Sequence, residues 1–118
     1  MTKKILFICH GNICRSPMAE FIMKHLVETS DETAKNSTFE IASAAVSTEE
    51  IGNDIYPPAK RTLSAHGIPF SRRGARQMTK ADYLYYDYIV CMDQSNLRLM
   101  RYIIGEDTQN KVSLLMQW

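Results

Sequence analysis

Apolar and polar positions along the chain follow two periods, one typical of strands and one typical of helices. Residues 5–8 form an unbroken apolar run, which favours a strand covered on both faces of a parallel sheet. Further apolar segments predict three more strands, at about residues 39–44, 88–92 and 112–116. Helical spacing dominates between them. The pattern therefore predicts an α/β protein whose four parallel strands are joined by right-handed helical crossovers.

The helix after the first strand is predicted from its start signal. Ser16 is expected to be the N-cap and Pro17 the first helical residue, because a proline there loses no hydrogen bond. Four apolar residues of this helix recur at helical spacing and are expected to face the sheet: Ala19, Ile22, Met23 and Leu26. A polar connection then follows over residues 31–38.

Three later helices are predicted from prolines, a capping box and glycines. Proline favours the first turn of a helix, and glycine favours the position just after its end. The predicted helices run from Pro57 and Pro58 to Gly67, from a capping box of Thr79 and Asp82 onward, and from about Ser95 to Gly105.

The loop between the first strand and the first helix carries the candidate chemistry. Cys9 ends the strand and stands six residues before Arg15. We expect the backbone N–H groups of residues 10–15 to point inward and, with the positive end of the following helix, to bind a tetrahedral anion. Such surroundings favour a thiolate, which is a nucleophile, and an arginine can grip two phosphoryl oxygens. Ser16 could also donate its hydroxyl proton to the sulfur.

A buried cysteine at a strand end is often an inert small hydrophobic residue. Here the strand, the CxxxxxR spacing, the Ser-Pro pair and an amphipathic helix occur together and in order, which favours the functional interpretation. Neither GxxxxGK[ST] nor GxGxxG occurs in the chain, so a Walker A loop and a dinucleotide-binding loop are excluded.

Several segments resemble the low-molecular-weight protein tyrosine phosphatases, from about residue 3 to the last residue. They are CHGNICRSPMAE at 9–20, IASAA at 41–45, EIGN at 50–53, HGIP at 66–69, ARQMT at 75–79 and DYIVCMDQSNLR at 87–98. The resemblance implies a doubly wound, flavodoxin-like sheet of order 2-1-3-4 with helices on both faces. It also implies hydrolysis of phosphotyrosine and other aryl phosphate monoesters through a phosphocysteine intermediate, with inorganic phosphate or a similar oxyanion also bound in the loop.

By matching positions, the resemblance implies that Cys9 is the nucleophile and Arg15 the phosphate clamp. It implies no metal and no other cofactor. The implied phosphate-binding loop is Cys9, His10, Gly11, Asn12, Ile13, Cys14 and Arg15, with Asn12, Ser16 and Ser43 as polar supports.

The chain departs from the family pattern in its general acid. The family places this aspartate in an Asp-Pro pair after the last strand, but no Asp-Pro occurs here, so the acid is expected beyond Trp118. The family's last helix is also missing. We therefore predict a single domain over residues 1–118, truncated at its C-terminus, impaired as a phosphatase and prone to self-association through the uncovered face. Asp93 could substitute as the acid, although a helix N-cap is the favoured interpretation, and Asp54 resembles a residue of the substrate rim.

Two other functions stay open. One is a non-catalytic module that binds an oxyanion, because the acid is missing. The other is an arsenate reductase of the same architecture, although Cys91 on a strand is a poor fit to the cysteine relay it needs. Cys14 could form a reversible disulfide with Cys9 or simply pack under the loop.

Charge and cysteine content limit the setting of the protein. The net charge of +1 argues against a nucleic-acid or membrane-surface role. The apolar run after Lys3 and Lys4 is too short for a signal peptide or a membrane span. Three cysteines, without a targeting segment, predict a reducing cytoplasm. The basic cluster of Arg72, Arg73 and Arg76 fits a solvated face or a contact to an acidic peptide.

Overall fold

The computed structural model describes residues 2–30 and 38–117. The four strands are separated by helices, with two helices between the second and third strands, as the sequence predicts. Their bounds are β1 Thr2–Cys9, α1 Arg15–Thr29, β2 Thr38–Ala45, α2 Pro57–Ala65, α3 Lys80–Tyr85, β3 Tyr88–Cys91, α4 Gln94–Ile104, β4 Val112–Leu114 and a final 3₁₀ turn Leu115–Gln117.

The sheet has the order β2-β1-β3-β4, and its strands are parallel, which confirms the predicted topology. In its register, Cys9 of β1 lies opposite Ala45 of β2, and Ile8 lies opposite Cys91 of β3. The chain leaves β1 to the β2 side first and crosses to the β3 side afterwards. Cys9 therefore ends its strand at the point where the winding direction reverses, which is where such sheets bind ligands.

Alternate residues of the strands cover the two faces of the sheet. On one face, Phe7 and Val90 pack with Ala19 and Met23 of α1. On the other face, Leu6, Ile8 and Ile89 pack with residues of α3 and α4, among them Tyr83 and Met100. Helices thus lie on both faces, as predicted. Residues 5–8 are uniformly apolar because both faces of β1 need cover.

Helix α1 begins two residues earlier than predicted. Its N-cap is Cys14, whose carbonyl accepts the first helical bond from Met18 N at 3.1 Å, and no side chain caps this end. The prediction that Ser16 is the N-cap is wrong, because its hydroxyl is buried inside the first turn. Pro17 is tolerated there because the first N–H groups of a helix have no intrahelical partner.

The face that α1 turns to the sheet is narrower than predicted. Ala19 and Met23 pack against the sheet, as expected. Ile22 packs instead in a second cluster between α1 and α2, with Phe21 and Leu63. Leu26 is 57% exposed, so its prediction is wrong. The apolar side chains Phe21 and Ile22 of α1 therefore pack toward α2 and not against the sheet.

Most other boundaries follow their local signals. The capping box of Thr79 and Asp82 starts α3, and the helix that starts at Pro57 ends just before His66 and Gly67. The last strand is shorter than predicted, because the chain turns into the 3₁₀ helix at Leu115. Of the polar connection predicted at residues 31–38, only Thr38 is described, and it begins β2. No helix within the described ranges has both the length and the apolar character needed to cross a membrane.

Candidate functional site

The sulfur of Cys9 is buried at the carboxyl end of β1, where Cys9 is only 3% exposed. The sulfur lies 2.9 Å from the hydroxyl oxygen of Ser16 in α1. The backbone N–H of Asn12 donates to it at 3.2 Å. The strand end, the loop and the first turn of the helix thus meet at one atom.

Asn12 organises the polar side chains beneath the loop. Its φ of 60° is left-handed, a conformation in which asparagine is enriched. The Nδ2 group donates to the hydroxyl oxygens of Ser16 at 2.8 Å and Ser43 at 2.9 Å. Ser43 in turn donates to Oε1 of Glu20 at 2.5 Å. We call these four buried residues, Asn12, Ser16, Glu20 and Ser43, the loop floor.

The Ser16 hydroxyl lies between the amide of Asn12 and the sulfur of Cys9. A serine hydroxyl has one proton to donate and lone pairs to accept with. Because Ser16 accepts from Asn12, its own proton is free to point at the sulfur of Cys9. A thiolate can only accept, so an ionised Cys9 would receive two hydrogen bonds, one from the Asn12 backbone N–H and one from the Ser16 hydroxyl.

The carbonyl groups of residues 9, 10, 12, 13 and 14 are all bonded to partners in surrounding segments. The described residues contain no cis peptide bond. In a trans peptide the carbonyl and the next N–H point in opposite directions, so the N–H groups of residues 10, 11, 13, 14 and 15 point away from those partners. The carbonyl oxygens of Cys9, His10, Asn12, Ile13 and Cys14 accept, in that order, from Val46, Ser47, Arg73, Tyr56 and Met18.

Arg15 lies at the mouth of the loop and pairs with Asp93, the residue just before α4. Its Nη1 donates to Asp93 Oδ2 at 2.7 Å, and the two side chains are 49% and 39% exposed. Asp93 forms a capping box with Asn96, which confirms the N-cap prediction. Hydrogen bonds from Ser95 and Arg15 lower the pKa of Asp93 to about 2. This carboxyl group is therefore ionised near neutral pH and holds no proton to give.

The other polar groups near the mouth are also paired. Nε2 of His10 lies 3.1 Å from Oε2 of Glu49, and both side chains are exposed. We call His10, Arg15, Glu49 and Asp93 the loop rim. Farther along, Lys60 Nζ lies 2.6 Å from the carboxylate of Asp54. Hydrogen bonds from Lys60 and from a backbone N–H lower the pKa of Asp54 to about 2, so this second candidate acid is ionised as well.

The three cysteines are free thiols in different surroundings. Cys14 is half-buried and packs against the apolar cluster between α1 and α2. Cys91 is fully buried in β3, and desolvation raises the pKa of its thiol to about 12. Across residues 2–30 and 38–117, no three His, Cys, Asp or Glu side chains gather as metal ligands would.

Two site residues were missed by sequence reasoning. Glu20 is buried in the loop floor and also binds Lys24 Nζ at 2.6 Å. It stands one helical turn after Ser16, and this spacing places both on one side of α1, which was a usable signal. Arg73, predicted only as part of a basic cluster, donates to the backbone carbonyl of Asn12 at 2.6 Å. No spacing in the sequence points to this contact, because 61 residues separate the two.

Fold and geometry together define a parallel α/β protein with a cysteine-centred loop at the switch point of its sheet. Comparison with known proteins narrows this class. The family profile of the low molecular weight phosphotyrosine protein phosphatases matches residues 4–118. The chain therefore belongs to the low molecular weight phosphotyrosine protein phosphatase family.

Individual relatives agree with this assignment. The low molecular weight phosphotyrosine protein phosphatase of Homo sapiens is 48% identical over 97 residues, which cover 82% of this chain and 59% of the human protein. The structure of YfkJ from Bacillus subtilis superposes with a TM-score of 0.87 at 32% identity, covering 99% of this chain and 72% of YfkJ. Wzb of Vibrio vulnificus in complex with benzylphosphonate gives a TM-score of 0.82 at 28% identity, covering 98% and 75%. The match thus spans less than two thirds of the human protein.

Proposed function

We propose that this chain binds a phosphate monoester in the loop of residues 9–15 and hydrolyses it in two steps through Cys9. The observation that carries the proposal is the pair of donors on the Cys9 sulfur, Asn12 N–H at 3.2 Å and the Ser16 hydroxyl at 2.9 Å. Hydrogen bonds to a charged form favour that form, so both donors stabilise a thiolate. A thiolate is the reactive state of a cysteine nucleophile.

In the first step, the thiolate would attack phosphorus, so that a sulfur–phosphorus bond forms and the bond to the leaving oxygen breaks. The inward N–H groups of the loop and the guanidinium of Arg15 would meet the charge on the phosphoryl oxygens. Arg15 uses one nitrogen for Asp93, and a guanidinium has five N–H donors, so binding of a phosphate is compatible with this pair. In the second step, water would release inorganic phosphate and restore the thiolate.

We propose phosphotyrosine proteins or small aryl phosphates as the substrates. Family membership supports this choice, and the Vibrio vulnificus relative was solved with benzylphosphonate, a ligand that joins an aromatic ring to a phosphonate. The loop should also take inorganic phosphate. The predicted redox partnership of Cys14 with Cys9, the single truncated domain and the self-association stay predictions.

Protonation of the leaving oxygen sets the expected limit on activity. Asp54 and Asp93 are both ionised near neutral pH, since the pKa of each is about 2. General acid catalysis is typically worth about 10²–10⁴ in rate. We therefore expect these 118 residues to hydrolyse p-nitrophenyl phosphate, whose leaving group needs no proton. We expect the rate with phenyl phosphate, whose leaving group needs one, to be lower by about 10²–10⁴.

The test is hydrolysis of p-nitrophenyl phosphate together with acid trapping of the phosphoenzyme. We expect Cys9→Ser to abolish both signals and Arg15→Ala to lower kcat by at least about 10²-fold. Cys91→Ala removes a thiol outside the loop and is the matched control, with both signals retained. A Cys9→Ser variant that still turns over substrate would overturn the assignment.

Two further measurements separate the alternative functions. Orthovanadate that raises the melting temperature, with no phosphoenzyme in the wild-type chain, would favour a non-catalytic oxyanion-binding module. Arsenate-dependent oxidation of the thiols would favour an arsenate reductase. We do not favour the latter, because the buried thiol of Cys91 has a pKa of about 12 and is poorly suited to a cysteine relay.

A further inference from the structure

Arg73 lies outside the cysteine loop but reaches the loop floor with its guanidinium. Its Nη2 donates to the backbone carbonyl of Asn12 at 2.6 Å and also to the side-chain Oδ1 of Asn12. The backbone N–H of Arg76 donates to the same Oδ1 at 3.3 Å. One short segment therefore supplies both donors to the amide oxygen of Asn12.

The backbone around Arg73 is held in place by the segment of residues 51–54. Its N–H donates to Asp54 Oδ1 at 3.1 Å. At Gly74, a side chain would place its first carbon only 3.2 Å from the carbonyl oxygen of Gly52, so this close approach of the two backbones favours glycine. Ala75 then pairs with Ile51 as an isolated parallel bridge. The guanidinium is thus carried by a fixed piece of backbone.

The charge of Arg73 also faces the site. Burial lowers the pKa of its guanidinium, while interactions with the charges of Glu20, Asp54 and Cys9 raise it. The other titratable groups of the loop rim and floor are His10 with its partner Glu49, Arg15 with its partner Asp93, and Glu20 of α1 behind Ser43. Unlike these groups, Arg73 contacts the Asn12 side chain directly, and this contact fixes the orientation of the Asn12 amide.

We propose that Arg73 is a positioning residue that sets the direction of the hydrogen bonds ending at Cys9. With Oδ1 occupied by Arg73 and Arg76, the amide of Asn12 must turn its Nδ2 toward Ser16 and Ser43. The Ser16 hydroxyl then accepts a hydrogen bond from Asn12 and donates one to the thiolate of Cys9. This inference rests on the proposed function, because it assigns a purpose to the donors on a thiolate nucleophile.

The test measures the rate of Cys9 alkylation by iodoacetamide as a function of pH, with mass spectrometry to assign the modified cysteine. For Arg73→Gln we expect the pH of half-maximal rate to rise by about one unit, because the sulfur loses an oriented donor. Arg72→Gln is the matched control, since it removes the same charge from the exposed neighbouring side chain, and we expect no shift. Arg73→Lys keeps the charge without the two-point contact and should shift by about half as much.

The route through Ser16 is tested by repeating the substitution in a Ser16→Ala background. If Arg73 acts through Asn12 and Ser16, Arg73→Gln should shift the profile much less there. An equal shift in both backgrounds, or equal profiles for Arg73→Gln and Arg72→Gln, would overturn the inference. Thermal unfolding checks that each variant is folded, and Arg73→Lys replaces Arg73→Gln in the cycle should the latter not fold.

Failure of the proposed function would look different. In that case wild-type Cys9 would be alkylated with the pH dependence of a free thiol, and inorganic phosphate would not protect it. A wild-type chain that is reactive at low pH and protected by phosphate, with unchanged Arg73 variants, would contradict the role of Arg73 alone.

Discussion

Beneath the Cys9 sulfur the polar side chains are buried and bonded to one another, whereas at the mouth of the loop they are exposed and form two separate pairs, Arg15 with Asp93 and His10 with Glu49. In the loop floor, Asn12 and Ser16 are fully buried and Ser43 nearly so. In the loop rim, Arg15 and Asp93 are 49% and 39% exposed. Both regions are rich in hydrogen bonds, but they differ in what it costs to break them.

A buried donor or acceptor that loses its partner costs about 1–3 kcal/mol, whereas an exposed ion pair contributes about 0–1 kcal/mol. The floor therefore fixes the loop before any ligand arrives, which is the requirement for preorganised stabilisation of a developing charge. The rim can exchange its partners at little cost when a substrate enters. Substitutions in the floor should thus affect stability, and those in the rim should mainly affect binding.

The largest effect is expected for Asn12→Ala. This change replaces asparagine, which is enriched in the left-handed conformation, by alanine. It also removes the amide that donates to Ser16 and Ser43 and accepts from Arg73. We expect the free energy of unfolding to fall by about 3 kcal/mol, measured by urea denaturation. Asn12→Gly removes the same side chain but tolerates the backbone, so it should recover about 1 kcal/mol. A loss below about 1 kcal/mol for the alanine variant would show that the floor is not preorganised by Asn12.

Ser43→Ala should follow in size. It removes the acceptor of Asn12 Nδ2 and the donor to Glu20 at the same time. We expect a loss of about 1–2 kcal/mol in the free energy of unfolding. Ser64→Ala on the exposed surface of α2 is the matched control, with a change within about 0.5 kcal/mol. Equal effects of the two substitutions would remove the distinction between the buried network and the surface.

The same distinction explains what sequence reasoning could reach. The strands and the loop of residues 9–15 follow from local patterns, because a run of apolar residues and a CxxxxxR spacing each lie within one segment. The strand order, and with it the switch point at Cys9, was predicted from the family resemblance. Asp93 and Thr79 were identified as caps for the same reason.

Contacts between segments that are distant in the chain could not be predicted from the sequence. Ser16 has the chemistry of an N-cap, and only the tertiary position of Cys9 and Asn12 shows that its hydroxyl is used elsewhere. Arg73 contacts Asn12 across 61 residues, so its role depends on how residues 51–54 fix its backbone. Leu26 has helical spacing, but it is 57% exposed and belongs to none of the three apolar clusters.

In the rim, Asp93 combines two tasks that substitution can separate. Asp93→Ala removes the cap of α4 and the partner of Arg15, and we expect a loss of about 1 kcal/mol. Asp93→Ser keeps a capping hydroxyl but no charge, so it should lose less stability while still freeing Arg15. The pair is then tested by orthovanadate affinity, which should change in both variants. If Asp93→Ser lost as much stability as Asp93→Ala, the ion pair, and not the cap, would be the stabilising contact.

The pH dependence of stability tests whether the ionised Asp93 carboxylate stabilises the folded protein. The pKa of Asp93 is lowered to about 2 in the folded protein. A lowered carboxyl pKa means stabilisation that is present above the ordinary value near 4 and is lost as the pH falls toward 2. The difference in melting temperature between wild type and Asp93→Ser should therefore be constant at neutral pH and shrink between about pH 4 and pH 2. A difference that is unchanged down to pH 2 would contradict the stabilisation by the ionised Asp93 carboxylate, which Ser95 and Arg15 both bind.

The smallest effect is expected for Glu49→Gln, which removes the charge opposite His10 in the most exposed pair of the rim. Glu49 is 69% exposed and His10 is 45% exposed, so water screens their interaction. We expect a change within about 0.5 kcal/mol at low salt and none at about 1 M salt, where the Debye length is only about 3 Å. Glu106→Gln at another exposed site controls for the loss of one negative charge. If Glu49→Gln instead cost as much as Ser43→Ala, the rim would be as rigid as the floor, and the contrast between the two regions would not hold.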